Sequence, residues 1–403
     1  MLNLSKVLDL TMKLFFVLLG VTVIVLNLIS MGNQQYVFLA ESFLRGHLDF
    51  VSMPPHLTDM VLHNGYYYWP NPPFPAVLLM FPVIILKLLG VASIQGFVQI
   101  VIGALLVWVL GKVFITCSSK KDVTFWVYSF IFSTCFIGVF SLPSSWYFAS
   151  TVSVFLTFLA YLLYKKGYSM AYVGIIYGLI LLTRFTAALG IIFYIFLLLS
   201  ENNFRFKFDR ALTKKFILLL APFFCALVIM ISYNYARYGT WKELGYVQNF
   251  LFPWHQTARN YGIFSLKHVP GNIYYLFLNA PKPVLSDGVS KVLKFPFVEA
   301  DPWGMSIFVT SPVFFLLFTL AYKKRESILL LLTSFLIMIP ILLYFGVGWI
   351  QFGYRYSLDF LPYLFIALVS EYSLKNKELS LGVKLVILLS SLSNFYLLFT
   401  MLT

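Results

Sequence analysis

Apolar stretches of about twenty residues alternate along this chain with short polar breaks, and that rhythm predicts a series of membrane-crossing helices. A hydrocarbon core of roughly 30 Å needs about 20 apolar residues per helix. Runs of this order occupy 11–31, 74–91, 97–117, 123–142, 147–164, 170–184, 186–200, 216–235, 304–322, 327–347, 356–372 and 381–401. Most are apolar on every side instead of along one stripe, the mark of a span and not of a surface helix. The expected fold class is an all-α integral membrane protein, a polytopic bundle of about 11 to 13 transmembrane helices. The run after Lys13 is too long for the h-region of a cleavable signal and no small-residue cleavage site follows it, so it is read as a retained span.

Two polar-aromatic segments, 32–73 and 236–303, interrupt the rhythm inside what otherwise reads as one polytopic domain over 1–403. In the first, "QQYVFLAESFLR" sets Tyr36, Leu39, Ala40 and Phe43 at i, i+3, i+4 and i+7, the spacing of one apolar helical face. This predicts a juxtamembrane helix. It is followed by "NGYYYWPNPPFPAVLLMFP" (64–82), where tyrosines, a tryptophan and prolines run directly into an apolar stretch.

Composition agrees with a membrane protein. Hydrophobic residues make up 60% of the chain and charged residues 11%, against about 25% charged in a soluble domain, and the mean hydropathy is +0.86. A net charge of +14 would in a soluble chain suggest nucleic acid, but here the basic residues sit in short breaks between spans: Lys6 and Lys13, Lys120 and Lys121, Lys165 and Lys166, the group from Arg205 and Lys207 to Arg210, Lys214 and Lys215, then Lys323 to Arg325, and Lys375 with Lys377. Such clusters mark the cytoplasmic side, so no nucleic-acid partner is expected. The two long segments, without dense basic clusters, fall on the outer face. Cys117, Cys135 and Cys225 lie at no metal-ligand spacing and suggest no disulfide framework.

The charge pattern also constrains the spans. If both 74–91 and 97–117 crossed, every later basic cluster would change side. One segment is therefore expected not to span, and 74–91, short and carrying Pro75, Pro82 and Lys87, is the choice.

The outer face is where chemistry is expected. A group transfer onto a hydroxyl or amine needs a carboxylate within reach of the proton, and the first long segment offers Glu41, Asp49 and Asp59. Asp59 leads, because it stands among polar residues close to the rigid aromatic segment; Glu41 and Asp49 stay open, and each acid alone could simply face water. Arg184, in "LILLTRFTAALG", sits between two apolar runs, where a guanidinium must face a cavity, pair with an anion or snorkel; near the outer leaflet it can grip a phosphate bidentately. Arg355, flanked by Tyr354 and Tyr356, can be aimed by cation–π contact or can serve only the helix end. Arg237, Glu243, Tyr246, His255, Arg259 and Lys267 in the second long segment are further candidates for an anionic headgroup. No HExxH, paired His or nucleotide-type glycine loop is present, so neither a metal nor another cofactor is indicated.

Taken together, "QYVFLAESFLRGHLDF", "HNGYYYWPNPPFPAVLLMFP", "LLTRFTAALG", "YNYARYGTWKELGY", "WGMSIFVTSP" and "GWIQFGYRYSLDFLP" resemble, in this order, the GT-C glycosyltransferases, and among them the protein-mannosyltransferase-like proteins of glycosyltransferase family 39. The resemblance runs from about residue 11 to residue 365. It implies a multi-pass enzyme of the plasma (inner) membrane with an extracytoplasmic active site. Such an enzyme moves a hexose, mannose for example, from a polyprenyl-phosphate carrier to a lipid, glycan or protein acceptor, with membrane lipids around it. Arg184 would match the basic residue that contacts the carrier phosphate, with Arg355, Arg237, Tyr67, Tyr68 and Asn71 as further substrate-binding candidates. Two departures stand out. Relatives carry an Asp-Glu pair after the first span, where this chain has Gly32, Asn33, Gln34 and Gln35, and Asn71 stands where they have a basic residue before the Pro-Pro pair. The base would then fall to Asp59, Glu41 or Asp49. The competing readings are a lipid or sugar transporter or flippase, against which stands the lack of an internal repeat, and a relative that has lost catalysis.

Overall fold

A Gly-x-x-x-Gly spacing at Gly174 and Gly178 builds the tightest helix pair of the molecule. A Cβ on Gly174 would stand 2.3 Å from the Leu219 carbonyl oxygen, and one on Gly178 3.0 Å from the Ala226 Cβ. Only glycine admits such backbone contact, so the helix Met170–Leu181 lies directly along Arg210–Tyr238. The second helix starts with Asp209 capping the Leu212 N–H (2.7 Å) and stops at Gly239, whose φ of +66° closes it in the left-handed conformation.

The computed structural model describes residues 4–30, 32–201, 203–204, 209–242 and 245–402, with side chains from Asp9 onward; the Lys6 side chain, Arg205, Lys207 and Glu243 lie outside them. The helices are α1 (Leu4–Ile29), α2 (Gln35–Leu44), α3 (Phe74–Leu88), α4 (Ile94–Phe114), α5 (Val123–Phe132), α6 (Phe136–Ser141), α7 (Ser145–Lys165), α8 (Met170–Leu181), α9 (Phe185–Ala188), α10 (Ile191–Glu201), α11 (Arg210–Tyr238), α12 (Gly245–Gln248), α13 (Pro253–Arg259), α14 (Val269–Phe277), α15 (Ile307–Thr310), α16 (Arg325–Leu343), α17 (Leu361–Lys375) and α18 (Leu381–Leu402). Two small antiparallel hairpins, β1 (Val61–His63) with β2 (Tyr66–Tyr68) and β3 (Lys282–Leu285) with β4 (Leu293–Glu299), complete the fold.

Among the described residues six helices, α1, α4, α7, α11, α16 and α18, are long and apolar enough to cross a membrane. The other expected spans are shorter apolar helices or broken ones. The run 123–142 divides into α5 and α6; at the break Asn394 Nδ2 of α18 donates to the Phe132 carbonyl (3.0 Å), and Ser133 Oγ ties the break back to α18 by donating to the Ile387 carbonyl (2.8 Å). Irregular backbone inside an apolar bundle survives only with such partners. The run 304–322 contains only α15 and a 3-10 helix, Pro312–Thr319, and 356–372 opens with the 3-10 turn Arg355–Asp359 before α17.

The two ends of the bundle differ in charge. At one end lie Lys165 with Glu326 (3.0 Å), Lys121 with Glu378 (2.6 Å) and Lys384 with Asp9 (3.0 Å). Buried Glu371 there accepts the backbone N–H groups of Lys323 (3.1 Å) and Lys324 (3.0 Å) at the start of α16, a carboxylate set against a helix N-terminus. At the opposite end the tail of α1 meets the heads of α4 and α7: Ser145 N donates to the Asn33 carbonyl (2.8 Å) and Gln95 N to Gln34 Oε1 (3.1 Å).

Both ends of α3 are tied to that second end. Phe74 N donates to the carbonyl of Leu182, just past α8 (2.8 Å), while Lys87 pairs with Glu41 of α2 (2.5 Å) and Gln34 Nε2 donates to the Ala92 carbonyl (3.1 Å). The helix therefore returns to the end from which it started, as the charge pattern requires of 74–91. The predicted face of α2 is buried through Tyr36, Leu39 and Ala40, with Phe43 edge-on to Tyr233.

Candidate functional site

A cavity of about 770 Å³ opens at the end of the bundle away from the basic clusters, within the size range of ligand sites. Its walls come from the first long segment (His56 to Asn71), the head of α7, the residues after α8, the segment Tyr246–His255, and the stretch from the tail of α16 to Tyr356.

Asp59 is placed there by two hydrogen bonds between the long segments. Asp59 N donates to the Phe250 carbonyl (2.7 Å), and Phe250 N donates to that of Met60 (2.8 Å). Asp59 itself has φ +64°, a left-handed conformation that Asp and Asn accept more readily than other non-glycine residues. Directly after it, β1 and β2 pair through Val61 with Tyr68 and His63 with Tyr66, joined by Asn64 and Gly65, both at positive φ, the pattern of a two-residue hairpin turn. The hairpin leads into Trp69, fully buried, and then into Pro70 and Asn71, which face the cavity.

Asp59 keeps part of its surface open on the cavity, yet dense protein surrounds its carboxyl. Burial pushes its pKa up to about 6 against the lowering pull of Arg355, a hydrogen bond from Trp146 and the charge of Arg259. His255, also in the wall, is driven down from its ordinary value by burial and by Arg355, both of which favour the neutral imidazole.

The two arginines singled out in the sequence differ in their counter-ions. Arg184 grips buried Asp359 through Nε to Oδ1 (2.6 Å) and Nη2 to Oδ2 (2.9 Å), and donates from Nη1 to Ser150 Oγ (3.2 Å); Thr186 Oγ1 donates to the same carboxylate. Arg355 has no ion-pair partner among the described residues. Its Nε is buried without a hydrogen bond, its guanidinium lies 5.6 Å from the Tyr147 ring and 5.2 Å from that of Tyr356, and Nη2 reaches only Tyr356 Oη at 3.5 Å. A half-buried cation held between rings at a cavity wall is chemically able to receive an anion.

Asp59, Arg184, Arg355 and Asn71 thus meet at one cavity, and Asn71 Oδ1 accepts from Tyr246 Oη (2.9 Å). Tyr246 and His255 of the second long segment also line it, whereas Glu41, Asp49, Arg237, Tyr67 and Tyr68 do not. Glu41 is paired with Lys87, and Asp49 lies beside His47 (3.3 Å). Buried Arg237 fits between the rings of Tyr233 and Tyr238 and donates to the Trp69 carbonyl (2.6 Å), pinning the first segment to α11. Tyr67 packs near Phe250 and Tyr68 near Tyr238. Residues of the wall that sequence reasoning did not single out include Trp146, Tyr147 and Trp349, each of which reads in sequence as an ordinary aromatic of a membrane helix or its interface.

No protein-family model matches the chain, and no curated protein matches it significantly. Among solved structures it is similar to ArnT from Cupriavidus metallidurans bound to undecaprenyl phosphate, with a TM-score of 0.52 and 12% identity, over 93% of this chain and 62% of that one. It is also similar to the apo oligosaccharyltransferase of Archaeoglobus fulgidus, with a TM-score of 0.51 and 14% identity, over 98% of this chain and 56% of that one. The chain spans about six-tenths of the length of these proteins. With its spanning helices and its cavity at one end of the bundle, the chain has the GT-C fold of polytopic membrane glycosyltransferases.

Proposed function

We propose that this protein transfers a hexosyl group from a polyprenyl-phosphate donor to a lipid, glycan or protein acceptor at the extracytoplasmic face of the inner membrane. The observation that carries the reading is the meeting, in one cavity, of a carboxylate with a raised pKa, Asp59, and a guanidinium with no ion-pair partner among the described residues, Arg355. The undecaprenyl phosphate bound to ArnT supports a lipid-phosphate donor here. The collection of basic clusters at the opposite end of the bundle supports an outward-facing cavity.

The chemistry is economical. The acceptor hydroxyl or amine gives its proton to the Asp59 carboxylate and attacks the anomeric carbon of the donor. The bond from that carbon to the phosphate oxygen breaks with its electron pair, and polyprenyl phosphate leaves carrying the new negative charge. Arg355 stabilises that charge from a fixed position, at no cost of reorganisation at the moment of reaction. Arg184, already neutralised by Asp359, contributes by shaping the wall beside it.

The test is to incubate membranes containing the protein with a panel of radiolabelled polyprenyl-phosphate sugars. Labelled acceptor forming in step with released polyprenyl phosphate supports the reading; no consumption of any donor overturns it.

A further inference from the structure

Three tryptophans from distant parts of the chain converge beside the cavity: Trp254 in α13, Trp303 after β4, and Trp349 after α16. Trp303 and Trp349 have ring centroids 4.6 Å apart at 64°, and Trp254 lies 5.4 Å from Trp349 and 6.4 Å from Trp303. The His255 ring stands edge-on to Trp303 at 6.0 Å. Trp349 and His255 belong to the cavity wall, whereas Trp254 is 42% exposed, so the platform runs from the wall outward.

It is also rigid. Gln351, buried, donates from Nε2 to the Trp303 carbonyl (2.7 Å) and to that of Val347 (2.9 Å), and its backbone N–H donates to the Pro302 carbonyl (3.1 Å). One side chain thus clamps the two loops that carry Trp303 and Trp349. Gly304 and Gly348 make room for it: at φ +93° and +108°, a Cβ on either would stand 2.9 Å and 2.5 Å from Gln351. Indoles that only float at a headgroup layer need no such clamp. Beside them the His255 Nε2 is buried without a hydrogen-bond partner, a polar atom waiting for a donor or acceptor.

We propose that Trp254, Trp303, Trp349 and His255 form a subsite for a neutral pyranose of a saccharide acceptor, its apolar C–H face on the indoles and a hydroxyl on His255 Nε2. None of the four carries a charge when the imidazole is neutral, which suits a neutral sugar. The inference rests on the transferase reading for the word acceptor; the binding itself does not.

Saturation-transfer difference NMR on the full chain in detergent, with methyl α-glucoside, galactoside, mannoside and N-acetylglucosaminide as probes, tests it. Saturation of the ring C–H protons of at least one glycoside is expected. Trp303→Leu and Trp349→Leu should each weaken that binding about two- to tenfold, while Trp241→Leu, an exposed ring stacked on Tyr235, should not change it. If the leucine variants do not fold, His255→Gln and protection of wild-type tryptophan fluorescence from acrylamide by the same glycosides give the readout. No saturation from any probe overturns the subsite, as does unchanged saturation in both leucine variants. Glycoside binding weakened in Trp303→Leu, with transfer to a saccharide acceptor at an unaltered rate, overturns the assignment of the subsite to the acceptor and leaves the transferase reading intact. Glycoside binding lost in Trp303→Leu, with no transfer from any donor, supports the subsite and overturns the transferase reading.

Discussion

Arg184 and Asp359, 175 residues apart, meet through two parallel hydrogen bonds of 2.6 and 2.9 Å. The same four-residue interval that separates Asp359 from Arg355 in the chain puts a compensated and an uncompensated guanidinium at one cavity. Of the two, only Arg355 has no ion pair among the described residues, and the proposed mechanism assigns it the departing phosphate for that reason.

Breaking the pair should damage the fold before it damages binding. Asp359 is 2% exposed, and removing one member of a buried pair leaves the other charge stranded, at a cost of about 3–5 kcal/mol. Arg184→Ala and Asp359→Asn are each expected to lower the unfolding temperature in detergent strongly. The double replacement Arg184→Met with Asp359→Leu should cost less than the two single ones summed. Additive losses would contradict a direct pair.

Arg355 is expected to behave in the opposite way. Arg355→Gln removes a half-buried charge that has no ion-pair partner among the described residues, so thermal stability should hold, while the dissociation constant for polyprenyl phosphate, followed in nanodiscs, should rise about ten- to hundredfold. Arg355→Lys should recover only part of the affinity, since an ammonium lacks the planar fork. Unchanged phosphate binding in Arg355→Gln would remove the residue from the site.

Asp59 gives two pH dependences of opposite sense. As a base it works ionised, so transfer should rise with pH by about tenfold per unit up to about 6 and then level off. For stability the folded-state pKa lies above the unfolded one, so the protonated carboxyl favours the fold: the contribution is full below the unfolded value of 3.8 and is lost as pH climbs through about 6. Asp59→Asn should be at least as stable as wild type at pH 7.5, because Asn tolerates the left-handed backbone and carries no charge. Asp59→Ala lacks that tolerance and should be less stable than Asp59→Asn. A wild-type rate flat from pH 5 to 7 would contradict the assignment.

The return of α3 is open to labelling. On a background without Cys117, Cys135 and Cys225, single cysteines at the exposed positions Tyr66 and Leu88 should react with an impermeant thiol reagent from the same side of sealed vesicles. A cysteine at Lys121 should react from the other side. Reaction of 88 together with 121 would make α3 a span.

Much of this was legible from residues. The apolar rhythm gave the polytopic helical bundle but overcounted the helices long enough to span, six among the described residues against the expected 11 to 13; the basic clusters called for 74–91 not to span, and the expense of a guanidinium between apolar runs picked out Arg184. The acid that neutralises Arg184 could not be found that way, because Asp359 looks in sequence like any polar residue near a helix start and its partner lies far along the chain. Asp59 led Glu41 and Asp49 in sequence only by its neighbours: the bonds between Asp59, Met60 and Phe250, which join the two long segments, place that acid at the cavity and leave the others outside. Two signals were present and unused. Asn64-Gly65 announces the β1–β2 hairpin, and Gly174 with Gly178 announces the close packing of α8 on α11.

The central claim is that Asp59 takes a proton during sugar transfer from a polyprenyl-phosphate donor. Its most direct test compares wild type and Asp59→Asn for transfer of labelled sugar from such a donor to endogenous membrane acceptors, with both proteins folded to the same thermal stability. The account predicts transfer by wild type and a loss of at least about a hundredfold in Asp59→Asn; transfer by Asp59→Asn at the wild-type rate would contradict it.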